Sequence, residues 1–139
     1  MEKILKIEEF ELPNYKDRSW WSLVGYKITT DEQEIIIGIE NDQYCCETWG
    51  YFMSEDNLNK FINQDLIDVR LTDELNNFVD LKSKVDDYLI DEDTGEFDLY
   101  YGGAMFVDFV TNVGVLQFVA YNEHNGYYGH DACVISTQV

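Results

Sequence analysis

Residues 104–121 read Ala104-Met105-Phe106-Val107-Asp108-Phe109-Val110-Thr111-Asn112-Val113-Gly114-Val115-Leu116-Gln117-Phe118-Val119-Ala120-Tyr121. Two runs of apolar, β-branched and aromatic residues flank a short polar break. Met105, Val107 and Phe109 alternate with Phe106, Asp108 and Val110, the two-residue period of a strand. Asn112-Val113-Gly114 reads as the turn, because Gly114 can take a positive φ without steric cost. Val115 to Tyr121 is the returning strand. This stretch predicts an antiparallel hairpin.

The same grammar extends outward. Residues 3–12 alternate and stop at Pro13, which reads as a strand or sheet edge. Trp20 to Thr30 and Glu34 to Glu40 flank the polar turn Asp31-Glu32-Gln33 and predict a second hairpin. Gly38, inside the isoleucine-rich strand, signals a bulge or a close backbone approach. Asp65 to Leu71 predicts another strand. Asn125-Gly126 is a strong turn dipeptide, and it predicts that Tyr127 to Ser136 closes the sheet by a last hairpin. Ser54 followed by Glu55 and Asp56 has the form of a helix N-terminus, and Leu58, Phe61 and Ile62 fall at helical spacing. That predicts a short helix over 55–63. Residues 72–90 fit a helical face through Leu75, Phe78, Val79, Val85 and Leu89, capped by Thr72, or else a strand and loop. Residues 91–96 read as a turn, and no internal repeat is evident. The expected fold is α+β: one domain over 1–139, with an antiparallel sheet of six or seven strands and one or two helices on one face.

Composition narrows the function. The chain has 139 residues, 45% of them hydrophobic and 15% aromatic, which is enough for a packed core and excludes intrinsic disorder as the main state. It carries 28 Asp and Glu against 9 Lys and Arg, a net charge of −19. A generic binder of nucleic acid or anionic membrane is excluded, since phosphate neutralisation needs cations. No apolar run is long enough to span a bilayer, and the first residues lack the pattern of a signal peptide, so a cytoplasmic location is expected. Three cysteines, Cys45 and Cys46 adjacent, are expected to be reduced thiols.

The acids are uneven. Residues 51–100 hold 14 acids and 4 bases, whereas residues 101–139 hold 3 and none. The densest group is Asp86, Asp87, Asp91, Glu92, Asp93, Glu96 and Asp98. Spread over roughly 7,500 Å², the net charge amounts to about one per 400 Å². Duplex DNA shows about one per 110 Å² at a radius of ~10 Å. Imitation of DNA therefore requires the acids to gather on one face, and this group is the expected interaction surface. The plainer reading is an acidic surface that keeps the chain in solution.

Two other stretches could carry chemistry. The first is Tyr44-Cys45-Cys46-Glu47-Thr48-Trp49. As a strand it places Cys45, Glu47 and Trp49 on one face. A carboxylate beside a thiol disfavours the thiolate, so Glu47 makes neither cysteine a better nucleophile. The second is Asn122-Glu123-His124-Asn125-Gly126-Tyr127-Tyr128-Gly129-His130, which contains both histidines. Its glycines leave open backbone on which a flat ligand could lie between Tyr127 and Tyr128. The bland readings are small core thiols under Trp49, and a tyrosine-rich turn with solvated histidines. Taken together, Cys45, Cys46, Glu47, Trp49, Asn122, His124, Tyr127, Tyr128 and His130 form a candidate ligand site. A Cys–His nucleophile pair is conceivable. No metal or cofactor is expected: there is no C-x-x-C, no glycine-rich phosphate loop and no calcium-loop spacing.

These two motifs resemble those of small uncharacterised domains of Firmicutes and their phages. Such domains carry a Cys-Cys-Ser/Glu-x-Trp motif and a closing Asn-x-x-Asn-Gly-Tyr-Tyr-Gly segment on the last hairpin. The resemblance covers about residues 22–136, and His124 stands where Ser is common. It implies a fold relation, a phage or prophage context and a possible meeting of the motifs in space, but no reaction. Small, strongly acidic phage proteins are often inhibitors of host defence, including anti-CRISPR proteins. The leading expectation is thus a non-enzymatic, acidic binding protein of a phage or mobile element. Its partner would be a protein with a basic nucleic-acid-binding surface. The alternative is a small-ligand or Cys/His-dependent enzymatic domain with a pocket between the two motifs. A plain assembly domain is the third.

Overall fold

The computed structural model describes residues 2–13, 22–40, 48–72, 74–76, 81–85, 89–91, 93–94, 97, 102–123 and 132–138, with backbone alone at 40, 48–49, 102–103, 122–123 and 132–138. Eight strands run β1 Glu2–Pro13, β2 Ser22–Thr30, β3 Gln33–Glu40, β4 Thr48–Met53, β5 Asp65–Thr72, β6 Gly102–Thr111, β7 Gly114–Glu123 and β8 Ala132–Gln138. They form one sheet in the order β4-β7-β6-β5-β1-β2-β3-β8. Every neighbouring pair is antiparallel. The hairpins expected over 20–40 and 104–121 are β2–β3 and β6–β7, and Gly114 has φ +131°.

The fold is all-β, not α+β. Among the described residues all helical structure is 3-10: single turns at Leu58–Phe61 and Leu81–Ser83, and Leu89. The helix expected over 55–63 fails because Ser54 does not act as its cap. Ser54 extends the sheet ladder instead: its N–H donates to the Gln117 carbonyl at 2.8 Å, and its Oγ accepts from the Gln117 N–H at 2.9 Å. Asn57 caps the short turn, its side chain accepting from the Asn59 N–H, and Asn63 leaves it at φ 67°. Residues 74–97, where described, form a cover and not a helix. Leu81, Ile90, Val85 and Phe97 pack with Phe52, Val119, Phe106 and Tyr121 against the outer face of β4, β7 and β6.

The sheet curls on itself. Tyr26 of β2 and Tyr51 of β4 are five strand steps apart, or about 24 Å in a flat sheet. Their ring centroids are 5.9 Å apart. Curling encloses one core, in which Ile28, Ile35, Ile37 and Ile39 face Phe109, Leu116, Phe118 and Ala120.

The sheet order is also a palindrome, and the ladder registers show why. Ile4 pairs with Thr30 and Leu66 pairs with Thr111. Ile28 pairs with Ile35 and Phe109 pairs with Leu116. Ile37 pairs with Val134 and Phe118 pairs with Met53. Even the bulges correspond, between Ile4 and Lys6 and between Leu66 and Asp68. Strands β1–β4 and β5–β8 are thus two copies of one pattern, with β4 and β8 exchanged between them. A shift of 81 residues (111 minus 30) relates β2–β4 to β6–β8. The sequence does not show this repeat, since Thr30/Thr111 and Asn41/Asn122 are the only identities between residues 22–53 and 103–134.

The last hairpin is a second correction. Strand β8 pairs with β3, from Gln33↔Gln138 to Ile39↔Ala132. A strand has two edges, and those of β7 are already taken by β4 and β6. Gly38 is a close approach, as expected, and lies opposite Gly25. A Cβ on Gly38 would fall 2.8 Å from the carbonyl carbon of Val24, and one on Gly25 2.7 Å from the Gly38 Cα.

Candidate functional site

Strand β1 pairs with β5 only at Glu2 and Lys3, then continues along β2 to Pro13. Beyond that short contact the two halves leave a cleft of about 380 Å³, lined by Glu9, Tyr26, Tyr51, Phe52, Met53, Glu55, Asp56, Leu58 and Lys84. That volume lies at the low end of the ~300–1,000 Å³ typical of ligand sites. Register positions the walls. Glu9 is the cross-strand partner of Tyr26, and Glu11 of Val24, so both acids share the face of β1 that carries Ile7. Tyr51 stacks on Phe118 at 6.1 Å and meets the edge of Tyr26.

The cleft is electronegative. The Tyr26 phenol is pushed up to about 12, first by burial and then by Glu9, Tyr51 and Asp56. Tyr51 is raised as well, by burial and by Glu9 and Glu11. Both phenols therefore remain protonated donors at neutral pH. Lys84 bonds Asp56 at 2.7 Å and Lys60 bonds Glu55 at 2.9 Å, holding both carboxyls below their usual range. Glu9 and Glu11 have no ion-pair partner among the described residues. Four acids against two lysines leave a local charge of −2.

Of the expected acidic surface, Asp91 and Asp93 are described. Asp91 is half-buried, and its Oδ1 accepts from the N–H groups of Asp93 and Thr94 at 2.8 and 3.3 Å. It shapes a turn. Asp93 is exposed. Asp86, Asp87, Glu92, Glu96 and Asp98 lie outside the described residues. The chain ahead of these residues, at Glu74 and Asn76, is anchored by Gln117, which is 1% exposed. Its Nε2 donates to the Glu74 carbonyl at 3.0 Å and to Asp108 Oδ1 at 2.9 Å, and its Oε1 accepts from the Asn76 N–H at 2.7 Å.

Of the candidate ligand site, the backbones of Trp49 and Asn122 are described. They are register partners across β4 and β7, next to the pair Thr48↔Glu123. At the far edge Ile39 pairs with Ala132. The connections 41–47 and 124–131 thus join the same two places in opposite senses. Cys45, Cys46, Glu47, His124, Tyr127, Tyr128 and His130 lie outside the described residues. Among the described residues, no group of three His, Cys, Asp or Glu is placed to hold a metal ion.

Sequence reasoning missed the cleft because its walls come from β1, β2, β4 and the turn after it, with Lys84 added from the cover. One signal was available. In a strand whose Ile7 packs against the core, Glu9 and Glu11 fall on the same face, where both remain exposed.

A family described as "Domain of unknown function (DUF7448)" matches residues 2–134. No curated protein and no solved structure gives a significant match. No helix among the described residues is long and apolar enough to cross a membrane, which leaves strand-built spans aside.

Proposed function

The chain belongs to the DUF7448 family, and from that footing we propose that it is a non-enzymatic acidic binding protein that engages the basic, nucleic-acid-binding surface of a protein partner. The observation that carries the reading is the charge left over after folding. Fifteen acids and seven cations have described side chains, and five ion pairs form between them. Ten of those acids therefore remain outside ion pairs and repel one another until a partner supplies cations. The phage or mobile-element context, and a role in blocking a host defence protein, rest on the two motifs and on the acidic composition. Averaged over 8,047 Å², 19 charges give about one per 420 Å², about a quarter of DNA's density at ~10 Å radius. Mimicry by average charge is therefore too weak, and the contact needs a local concentration of acids.

The test is calorimetric titration against purified nucleic-acid-binding defence proteins at several salt concentrations. Opposite charge speeds encounter and makes it salt-sensitive. Binding at low salt that weakens with added salt, and with neutralisation of exposed acids, supports the reading. Absence of binding at low salt across the panel removes it.

A second reading is favoured by the Trp49↔Asn122 register, which brings the ends of both motifs together. In it, Cys45, Cys46, Glu47, Trp49, Asn122, His124, Tyr127, Tyr128 and His130 build one small-ligand site. Paired substitutions Cys46→Ser and His124→Ala would each abolish stabilisation by any compound that raises the melting temperature. A compound that stabilises all three proteins equally binds elsewhere.

A further inference from the structure

We infer that the cleft between Tyr26, Tyr51 and Glu9 is the docking point for an arginine side chain of the protein partner. The inference rests on the acidic-binder reading and gives it a place. Three observations converge.

First, the cleft has unspent negative charge. Lys60 and Lys84 already occupy Glu55 and Asp56, while Glu9 and Glu11 have no cation among the described residues. Second, it offers an aromatic wall beside those acids. Tyr26 and Tyr51 meet edge to face at 5.9 Å and 89°. A guanidinium can lie on a phenol ring and donate to a carboxylate at the same time, because it is planar and weakly hydrated. Lysine offers a compact, strongly hydrated charge and makes poorer use of the ring.

Third, the repeat provides an internal control. The positions equivalent to Glu9, Tyr26 and Tyr51 in the second half are Leu71, Val107 and Ala132. The fold can be built there with apolar residues, so the polar and aromatic lining is not demanded by the architecture. Charge complementarity selects the occupant: a cleft with a local charge of −2, in a chain of −19, takes a cation.

The experiment is an amide-shift titration by NMR of the full chain with acetyl-Gly-Arg-Gly-Arg-Gly-amide. The same peptide with citrulline in place of arginine, and free spermidine, are titrated in parallel. The expected result is saturable shifts at the amides of Glu9, Tyr26, Tyr51 and Asp56 with the arginine peptide, and none there with citrulline. The double variant E9Q/E11Q keeps the wild-type spectrum elsewhere and binds about fivefold more weakly, the size expected for two partly exposed charge pairs. Equal shifts with citrulline overturn the inference, as does tighter binding of spermidine, which would mark the cleft as a free-amine site. A partner that binds the chain in a salt-sensitive way, but equally well with E9Q/E11Q, overturns the cleft and leaves the acidic-binder reading standing. Silence of the whole spectrum to the arginine peptide, with no binding by any basic protein, removes both.

Discussion

Thr30 and Thr111 do the same work in the two halves of the sheet, 81 residues apart (111 minus 30). Each is buried, at 2% and 6% exposure. Thr30 Oγ1 accepts from the Glu32 N–H at 3.1 Å, and Thr111 Oγ1 accepts from the Val113 N–H at 3.2 Å. Each hydroxyl also reaches the carbonyl three residues on, at Gln33 and Gly114. The next residue then bridges to a neighbouring strand. Asp31 accepts from the Lys3 N–H at 2.9 Å, and Asn112 accepts from the Asp65 N–H at 2.7 Å. Lys3 and Asp65 are themselves partners in the short β1–β5 ladder, so the repeat meets itself there.

Thr30→Val and Thr111→Val should each destabilise the chain by about 1–3 kcal/mol, since each removes a buried acceptor from a turn N–H. Thr30→Val should cost more, because Thr30 also donates to Glu2 Oε2 at 2.5 Å and accepts from the Gln33 N–H. The hydroxyls share no partner, so the double variant should equal the sum of the singles within about 0.5 kcal/mol. Urea unfolding measures all three. A strongly non-additive pair would mean that the turns are coupled.

Gln117→Met keeps the side chain's length and removes its three hydrogen bonds to Glu74, Asn76 and Asp108. The expected loss is about 2–4 kcal/mol, from buried polar groups deprived of their partner. Hydrogen exchange should accelerate first at Asn76, Leu81 and Val85, before β6 and β7. Uniform acceleration across the sheet would show that Gln117 supports the core and not the cover.

Gly38→Ala should cost about 3 kcal/mol or more, because its Cβ meets the backbone of Val24, which cannot move without breaking the β2–β3 ladder. Gly114→Ala has open space around it but must hold φ +131°, and about 1–3 kcal/mol is expected from backbone strain alone. Thermal melts of both variants check the order. A Gly38→Ala protein as stable as the wild type would contradict the close approach.

Tyr26 should titrate near 12, and Tyr26→Phe should remove that step from the absorbance at alkaline pH. An unfolded tyrosine titrates near 10. Between the two values the native state holds a proton that the unfolded state has lost. The stability contributed by Tyr26 is therefore complete below about pH 10 and is lost as pH rises toward about 12. Melting temperatures over this range should fall less steeply for Tyr26→Phe. Identical slopes would show that the phenol is not held in its protonated form.

Much of the sheet was legible because local chemistry and tertiary demand agree there. The alternation of Met105, Val107 and Phe109 matches two faces that are both buried, by the core on one side and the cover on the other. The helix over 55–63 was misread because the signal at Ser54 is local, whereas its use is not: the partner, Gln117, lies 63 residues away. The last hairpin was misread for a similar reason. Asn125-Gly126 is a turn signal, but strand exchange sends β8 to β3. The repeat left little trace in identity because a core position asks for apolar volume and not for a particular residue, as Ile39 and Ala120 show. The acidic composition drew attention to charge, but the cleft needed the curl that brings Tyr26 to Tyr51.

The most direct measurement is a competition. The chain is added to preformed complexes of duplex DNA with each of a panel of purified nucleic-acid-binding defence proteins. DNA release is followed at about 0.1 M and about 1 M salt, where the Debye length falls from ~10 to ~3 Å. The expected result is release from at least one protein at the lower salt, little release at the higher, and a loss of potency with E9Q/E11Q. Failure to bind any member of the panel at the lower salt, or release unaffected by salt and by the loss of acids, would contradict a protein that works through its unspent negative charge.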